Sequence, residues 1–110
     1  MLDVSGGLIR RPMYIGEVSY FVSGQGVYGA QSVINVQVVN NSILPRPYRL
    51  IIYFYRGQKK VDTKSKTGIM LPHTSSYMTM ETYQLTDYAV IQLKPLLRII
   101  PYDEREVTPT

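Results

Sequence analysis

The amino-acid sequence predicts an all-β protein, a single antiparallel β-sandwich of about seven strands. Apolar and polar residues alternate along several segments, which is the period of a strand, and no segment has the period of a helix. Turn residues recur about every 8 to 12 positions, as in sandwich proteins. The chain has 110 residues, 45% of them hydrophobic, so it is long enough for one packed core and too short for two.

The first predicted strand covers Met13 to Val22 and is interrupted by Gly16, where we expect a bulge. A glycine-rich loop from Ser23 to Gly29 follows it. In the second strand, Ser32 to Asn40, alternation places one set of side chains on the buried face: Ile34, Val36 and Val38.

The middle of the chain predicts a central strand followed by an edge strand. Tyr48 to Arg56 is partly apolar on both faces, with Leu50, Ile52 and Phe54 on the inner one. After a turn that begins at Gly57, the segment from Lys60 to Thr67 is polar and rich in lysine, which is typical of the edge of a sheet.

The remaining strands are shorter, and turns separate them. Residues 71–74 form a turn before Ser76 to Tyr83, and Thr86-Asp87 forms another before Tyr88 to Lys94. A last short apolar run covers Leu97 to Ile100. We therefore divide the chain into an N-terminal arm (1–12), the sandwich (13–102) and a flexible C-terminal tail (103–110).

Several runs in the middle of the chain resemble immunoglobulin-like domains of the cell-adhesion-related (CARDB-type) and fibronectin-III-like kinds. These runs are Val33 to Ser42, Tyr48 to Tyr55, Gly57, Val61 to Thr63, Leu71-Pro72 and Asp87 to Ile91. The resemblance implies an immunoglobulin-like sandwich and says little about function. The cysteine pair and core tryptophan of antibody domains are missing, since the chain has neither residue type.

Composition excludes much of enzyme chemistry. Without cysteine there is no disulfide or thiolate site, and the single histidine, His73, cannot build a multi-histidine metal site. A Ser-His-Asp triad from His73, Ser75 or Ser76, and Asp87 is conceivable, but no nucleophile-elbow motif accompanies it. We expect no enzymatic activity, no cofactor and no metal.

The charge, +4 overall, is unevenly distributed. A basic patch coincides with the middle strands, and tyrosines share a strand with part of it, which permits nucleic-acid binding as an alternative function. Its residues are Arg49, Arg56, Lys59, Lys60, Lys64 and Lys66.

The ten tyrosines are the most unusual feature, because a core of this size cannot supply partners for so many hydroxyls. We therefore expect a structural or interaction module that contacts copies of itself or a larger protein scaffold. The first strand, protected only by Glu17, and the glycine loop should contribute to the contact. The expected contact residues are Tyr14, Val18, Tyr20, Tyr53 and Tyr55.

The assembly we expect is a virus particle, with a cell-surface or filament-associated adhesion module as the alternative. The sequence contains no apolar stretch of about 18 residues that would span a membrane, and no secretory signal at its start. A small subunit assembled inside a cell needs neither, so we expect a virion component whose terminal arms order against neighbouring subunits.

Overall fold

The computed structural model describes residues 12–24, 29–97 and 101–110, and every regular element within them is a β-strand. There are seven strands: β1 (Met13–Ser23), β2 (Gln31–Asn40), β3 (Arg46–Arg56), β4 (Lys59–Met70), β5 (Thr74–Thr82), β6 (Tyr88–Lys94) and β7 (Asp103–Val107). The prediction of an all-β chain of about seven strands is confirmed.

The strands form two antiparallel sheets, with the order β1-β2-β5 in one and β4-β3-β6-β7 in the other. Lysine-rich β4 lies at an edge and β3 lies in the interior of its sheet, as their sequences predict. Strand β1 lies at the edge of the smaller sheet. Its register against β2 shifts between Ile15 and Val18, which places a bulge at the predicted glycine.

The core lies between the two sheets and follows the predicted alternation. In β2 and β3 the inner face is fully buried, and β5 and β6 complete it. The inner residues predicted for β2 and β3 are all buried: Ile34, Val36, Val38, Leu50, Ile52 and Phe54. The rest of this core comes from Met78 and Met80 of β5 and Ala89, Ile91 and Leu93 of β6.

A chain of buried hydroxyl groups fixes the connection from β5 to β6. The Tyr20 hydroxyl donates to Thr86 Oγ1, because the Thr86 hydroxyl itself donates to Ser32 Oγ over 2.8 Å. Ser32 then donates to the carbonyl of Gln84 over 2.7 Å. Each of the three side chains is at least 94% buried, so the polar groups are satisfied inside the core.

Polar side chains close both open sides of the sandwich, and we call these contacts the β1–β7 seam and the β4–β5 seam. In the first, Arg105 donates to the carbonyls of Ile15 (2.7 Å) and Gly16 (2.6 Å). The amide of Ile15 donates to Asp103 Oδ2 over 2.9 Å. In the second, the Thr82 hydroxyl donates to the carboxylate of Asp62.

The prediction of a flexible tail at 103–110 is wrong. Residues Asp103–Val107 form β7, which pairs with β6 from Ala89 to Leu93, so the sandwich extends beyond residue 102. The chain end is also engaged, since the amide of Thr110 donates to the carbonyl of Tyr20 over 3.1 Å. In the apolar run from Leu97 to Ile100, Leu97 lies in a turn, and 98–100 lie outside the described residues, as does the arm before Pro12.

Candidate interaction surfaces

The outer face of the four-stranded sheet carries a group of apolar side chains, which we call the tyrosine face: Ile51, Tyr53, Tyr55, Tyr88 and Val90. Strand alternation puts Tyr53 and Tyr55 on this face of β3, and the register places Val90 and Tyr88 directly opposite them on β6. The rings of Tyr55 and Tyr88 stack with centroids 4.6 Å apart and planes 5° apart. Partial burial raises the pKa of Tyr88, and the neighbouring Tyr55 and carboxylates add to this effect, so the phenol is neutral.

The tyrosine face is bordered by basic side chains toward β4 and by acidic side chains toward β7. Lys60 lies over the ring of Tyr53, with its Nζ 5.2 Å from the centroid. On the other side, Gln92 donates to the carboxylate of Glu104 over 2.6 Å. The surface therefore combines rigid aromatic area with charges of opposite sign at its borders, which is typical of protein contacts.

Of the contact residues predicted in β1, Tyr20 is excluded from any surface because it is 1% exposed. Val18 is half-buried and packs against the core, while Tyr14 is 37% exposed. The bulge at Gly16 explains the error. Odd-numbered Met13 and Ile15 point inward before the bulge and even-numbered Tyr20 points inward after it, because the extra residue reverses the alternation.

The prediction that the edge of β1 is free to pair with another strand is also wrong in part. The outward carbonyls of Ile15, Gly16 and Tyr20 accept hydrogen bonds from Arg105 and Thr110, and the amide of Ile15 is bound by Asp103. These backbone groups are no longer available to a strand from another chain. In the adjoining glycine loop, residues 25–28 lie outside the described residues.

The structure divides the predicted basic patch between two faces. Arg49 lies on the tyrosine face with Lys60, since it alternates with Leu50 on β3. Lys64 and Lys66 lie opposite Ile52 and Leu50, on the inner side, where β4 extends past the core. Arg56 and Lys59 flank the hairpin turn. One flat basic surface for a phosphate backbone is therefore not formed by this set.

The conceivable catalytic triad is not assembled. His73 lies in the turn before β5, with a φ of 53°, at the end of the sandwich where β3 begins. Asp87 lies at the other end, where its carboxylate accepts from the amide of Gly57 over 2.7 Å. The histidine and the acid thus lie at opposite ends of the strands.

Sequence reasoning missed Tyr88 and Val90 as members of the tyrosine face. They lie on β6 directly opposite Tyr55 and Tyr53, and the signal was the alternation along β6, once its pairing with β3 is known. Comparison with protein-family models and with curated proteins gives no match for the chain. None of the described residues belongs to a helix long and apolar enough to cross a membrane.

Proposed function

We propose that this protein is a non-enzymatic structural module that docks through its tyrosine face as a small subunit of a larger protein assembly, such as a virus particle. The observation that carries the proposal is the aromatic group on one sheet face, in which Tyr55 and Tyr88 stack on each other. Tyrosine provides large contact area at a low cost in side-chain entropy.

The position of this face on a rigid scaffold supports the proposal. Its residues lie on β3 and β6, the two interior strands of the four-stranded sheet. The opposite sides of these strands are packed into the core at 0% exposure for Ile52, Phe54 and Ile91. A preorganised surface of this kind loses little conformational entropy on binding.

We further infer that the sandwich is immunoglobulin-like and of the fibronectin-III-like kind. In the constant type of antibody domain the fourth strand joins the sheet of the first two. Here β4 pairs with β3 in the other sheet, which supports the fibronectin-III-like arrangement. Such folds serve many functions, so the proposed role depends on the surface and not on the fold.

The proposal is tested by measuring mass in solution and in the native source. Light scattering over a range of concentrations should show association of the purified chain or of the chain with its scaffold. The double variant Tyr53→Ser plus Tyr55→Ser should lose that association and keep its fold. A matched control, Tyr77→Ser plus Tyr83→Ser, removes tyrosines that are 55% and 69% exposed elsewhere and should associate normally.

In the native source, the chain should co-sediment with intact particles. A chain that stays monomeric at high concentration and is recovered only as a free protein would overturn the proposal. So would a Tyr53→Ser plus Tyr55→Ser variant that assembles like the wild type, or salt-sensitive binding of an oligonucleotide that this variant abolishes.

A further inference from the structure

The exposed aliphatic side chains of the described residues all lie at one end of the sandwich. In an antiparallel fold every second connection falls at the same end, and here these are the connections β2–β3, β4–β5 and β6–β7. We call this end the aliphatic pole. Its members are Ile43 (79% exposed), Leu44 (55%), Ile69 (69%), Leu71 (64%), Leu96 (39%) and Leu97 (96%).

The loops of the aliphatic pole are held in place by the buried side chain of Asn40. Its amide nitrogen lies 3.0 Å from the carbonyl oxygen of Leu44 and 3.1 Å from that of Leu71, so one donor group joins two loops. Its carbonyl oxygen accepts from the amide and hydroxyl of Ser42. Pro45 and Pro95 line one cavity, which brings the third loop beside the first. The side chains of the connections β2–β3 and β4–β5 are therefore presented on fixed loops.

The described charges nearest the aliphatic pole are mainly basic; the exposed Glu104, opposite Gln92 on β7, accepts a hydrogen bond from that side chain. Arg49 and Lys94 lie directly opposite each other on neighbouring strands, where like charges repel. Neither forms an ion pair or a side-chain hydrogen bond with any residue that the structure describes. Residues 41–45, 71–73, 95–97 and 101–102 contain no acid. The nearby Asp103 is 8% exposed, and its carboxylate accepts from the amide of Ile15.

We propose that the aliphatic pole binds the surface of an anionic lipid bilayer, with Ile43 and Leu97 inserted among the acyl chains and Arg49 and Lys94 facing the headgroups. Separate protruding side chains fit a fluid bilayer, which closes around each of them. A second copy of the chain fits less well, because a two-fold contact would place these basic residues against themselves. Ile43 and Leu97 lie on loops apart from the tyrosine face, whereas Arg49 and Lys94 lie at the end of that face nearest the pole, so the aliphatic pair is the one that separates this binding from docking through the tyrosine face.

Insertion is tested with single tryptophan probes, because the chain contains no tryptophan. Leu97→Trp and Ile43→Trp should shift their fluorescence emission to shorter wavelength when vesicles of phosphatidylcholine and phosphatidylserine in equal parts are added. Tyr83→Trp, a matched probe at the opposite end that replaces a 69% exposed side chain, should not shift. A shift at Tyr83→Trp equal to that at Leu97→Trp would overturn the proposed orientation.

Binding strength is tested by vesicle flotation. Ile43→Ser plus Leu97→Ser should weaken binding by about tenfold or more per side chain, whereas Phe21→Ser plus Tyr83→Ser should bind like the wild type. Arg49→Gln plus Lys94→Gln should weaken binding about fivefold per charge, and the control Arg56→Gln plus Lys59→Gln should have a smaller effect. Melting curves of all four double variants establish that each is folded.

The possible outcomes separate lipid from other ligands. Free inorganic phosphate should not displace the protein from vesicles; if it does, the basic residues bind phosphate itself and the lipid proposal is wrong. Absence of vesicle binding at low salt, or equal binding by Ile43→Ser plus Leu97→Ser, also overturns it. If copies of the protein associate without lipid and Ile43→Ser plus Leu97→Ser abolishes that association, the pole is a protein contact and the lipid proposal is wrong. None of these results depends on whether Tyr53→Ser plus Tyr55→Ser prevents assembly.

Discussion

Replacing Arg105 with methionine should destabilise the sandwich by about 2 kcal/mol, because it removes the two guanidinium hydrogen bonds of the β1–β7 seam. These bonds are 2.6 and 2.7 Å long and reach the consecutive carbonyls of Gly16 and Ile15. A hydrogen bond from a charged donor contributes about 1.5 to 3 kcal/mol when buried. Arg105 is only half-buried, and water can reach the freed carbonyls. The expected loss of stability for the two bonds is therefore smaller than twice the value for one buried bond.

Urea unfolding followed by circular dichroism measures this loss, and the melting temperature should fall by about 10 °C. Arg105→Lys retains the charge but not the bidentate geometry, so its stability should lie between those of the wild type and Arg105→Met. The control is Arg56→Met, at an exposed arginine beside the hairpin turn, which should change stability by less than about 0.5 kcal/mol. If Arg105→Met is as stable as Arg56→Met, the seam does not hold the edge of β1 and the argument is refuted.

Three further predictions concern the core, the second seam and the aliphatic pole. Phe54→Ala, at a side chain that is 0% exposed, should lower the free energy of unfolding in urea by about 3 to 5 kcal/mol. Phe21→Ala, at a side chain that is 59% exposed, should lower it by less than about 0.5 kcal/mol. Equal losses of stability would mean that the inner face is misassigned. The Thr82 hydroxyl, and to a lesser degree the amide of Thr63 and the charge of Lys64, lower the pKa of Asp62 below its ordinary value of 3.8. The ionised carboxylate therefore stabilises the folded state above that value, and the contribution is lost as the pH falls through the lower folded pKa. The stability difference between wild type and Asp62→Asn should accordingly shrink in acid, and a constant difference would contradict the seam. Asn40→Ala removes the side-chain donor of the Met70 carbonyl and one of two donors from the carbonyls of Leu44 and Leu71, which keep the hydroxyls of Ser42 and Thr74. It should cost about 1 to 3 kcal/mol, whereas Asn41→Ala, an exposed neighbour, should be nearly neutral in the same assay.

The strands that alternation defines well were predictable from the sequence, and β7 was not. In β2 the inner side chains Ile34, Val36 and Val38 are all at 0% exposure. When one face of a strand is exposed to solvent, apolar and polar residues alternate along its sequence, so the buried positions can be read from that alternation. Strand β7 has the sequence Asp-Glu-Arg-Glu-Val, which favours no regular structure locally. It is a strand because β6 supplies backbone partners and because Asp103 and Arg105 bind β1, and these contacts are tertiary.

The contact surfaces were predictable only where the strand register is regular. Tyr53 and Tyr55 lie on the outer face as expected, since β3 pairs with β6 without interruption from Arg49 to Tyr55. Tyr20 was misplaced although the bulge at Gly16 was foreseen, because the direction in which a bulge turns the following side chains depends on the partner strand. The aliphatic pole was missed because its members come from three separate connections, and only the topology shows that these meet at one end.

The two seams determine which surfaces remain for partners. Edges are the usual sites of association between β-sheets, but here β1 is bound by β7, and β4 extends past the core with Lys64 and Lys66 exposed. Association by strand addition is therefore disfavoured at β1 by occupied backbone groups and at β4 by charge. A tyrosine face on the larger sheet and an aliphatic pole at the loops offer contact through side chains instead. Since one lies on a sheet and the other on connections, a substitution in either should leave binding at the other intact, and the two double variants Tyr53→Ser plus Tyr55→Ser and Ile43→Ser plus Leu97→Ser measure that independence directly.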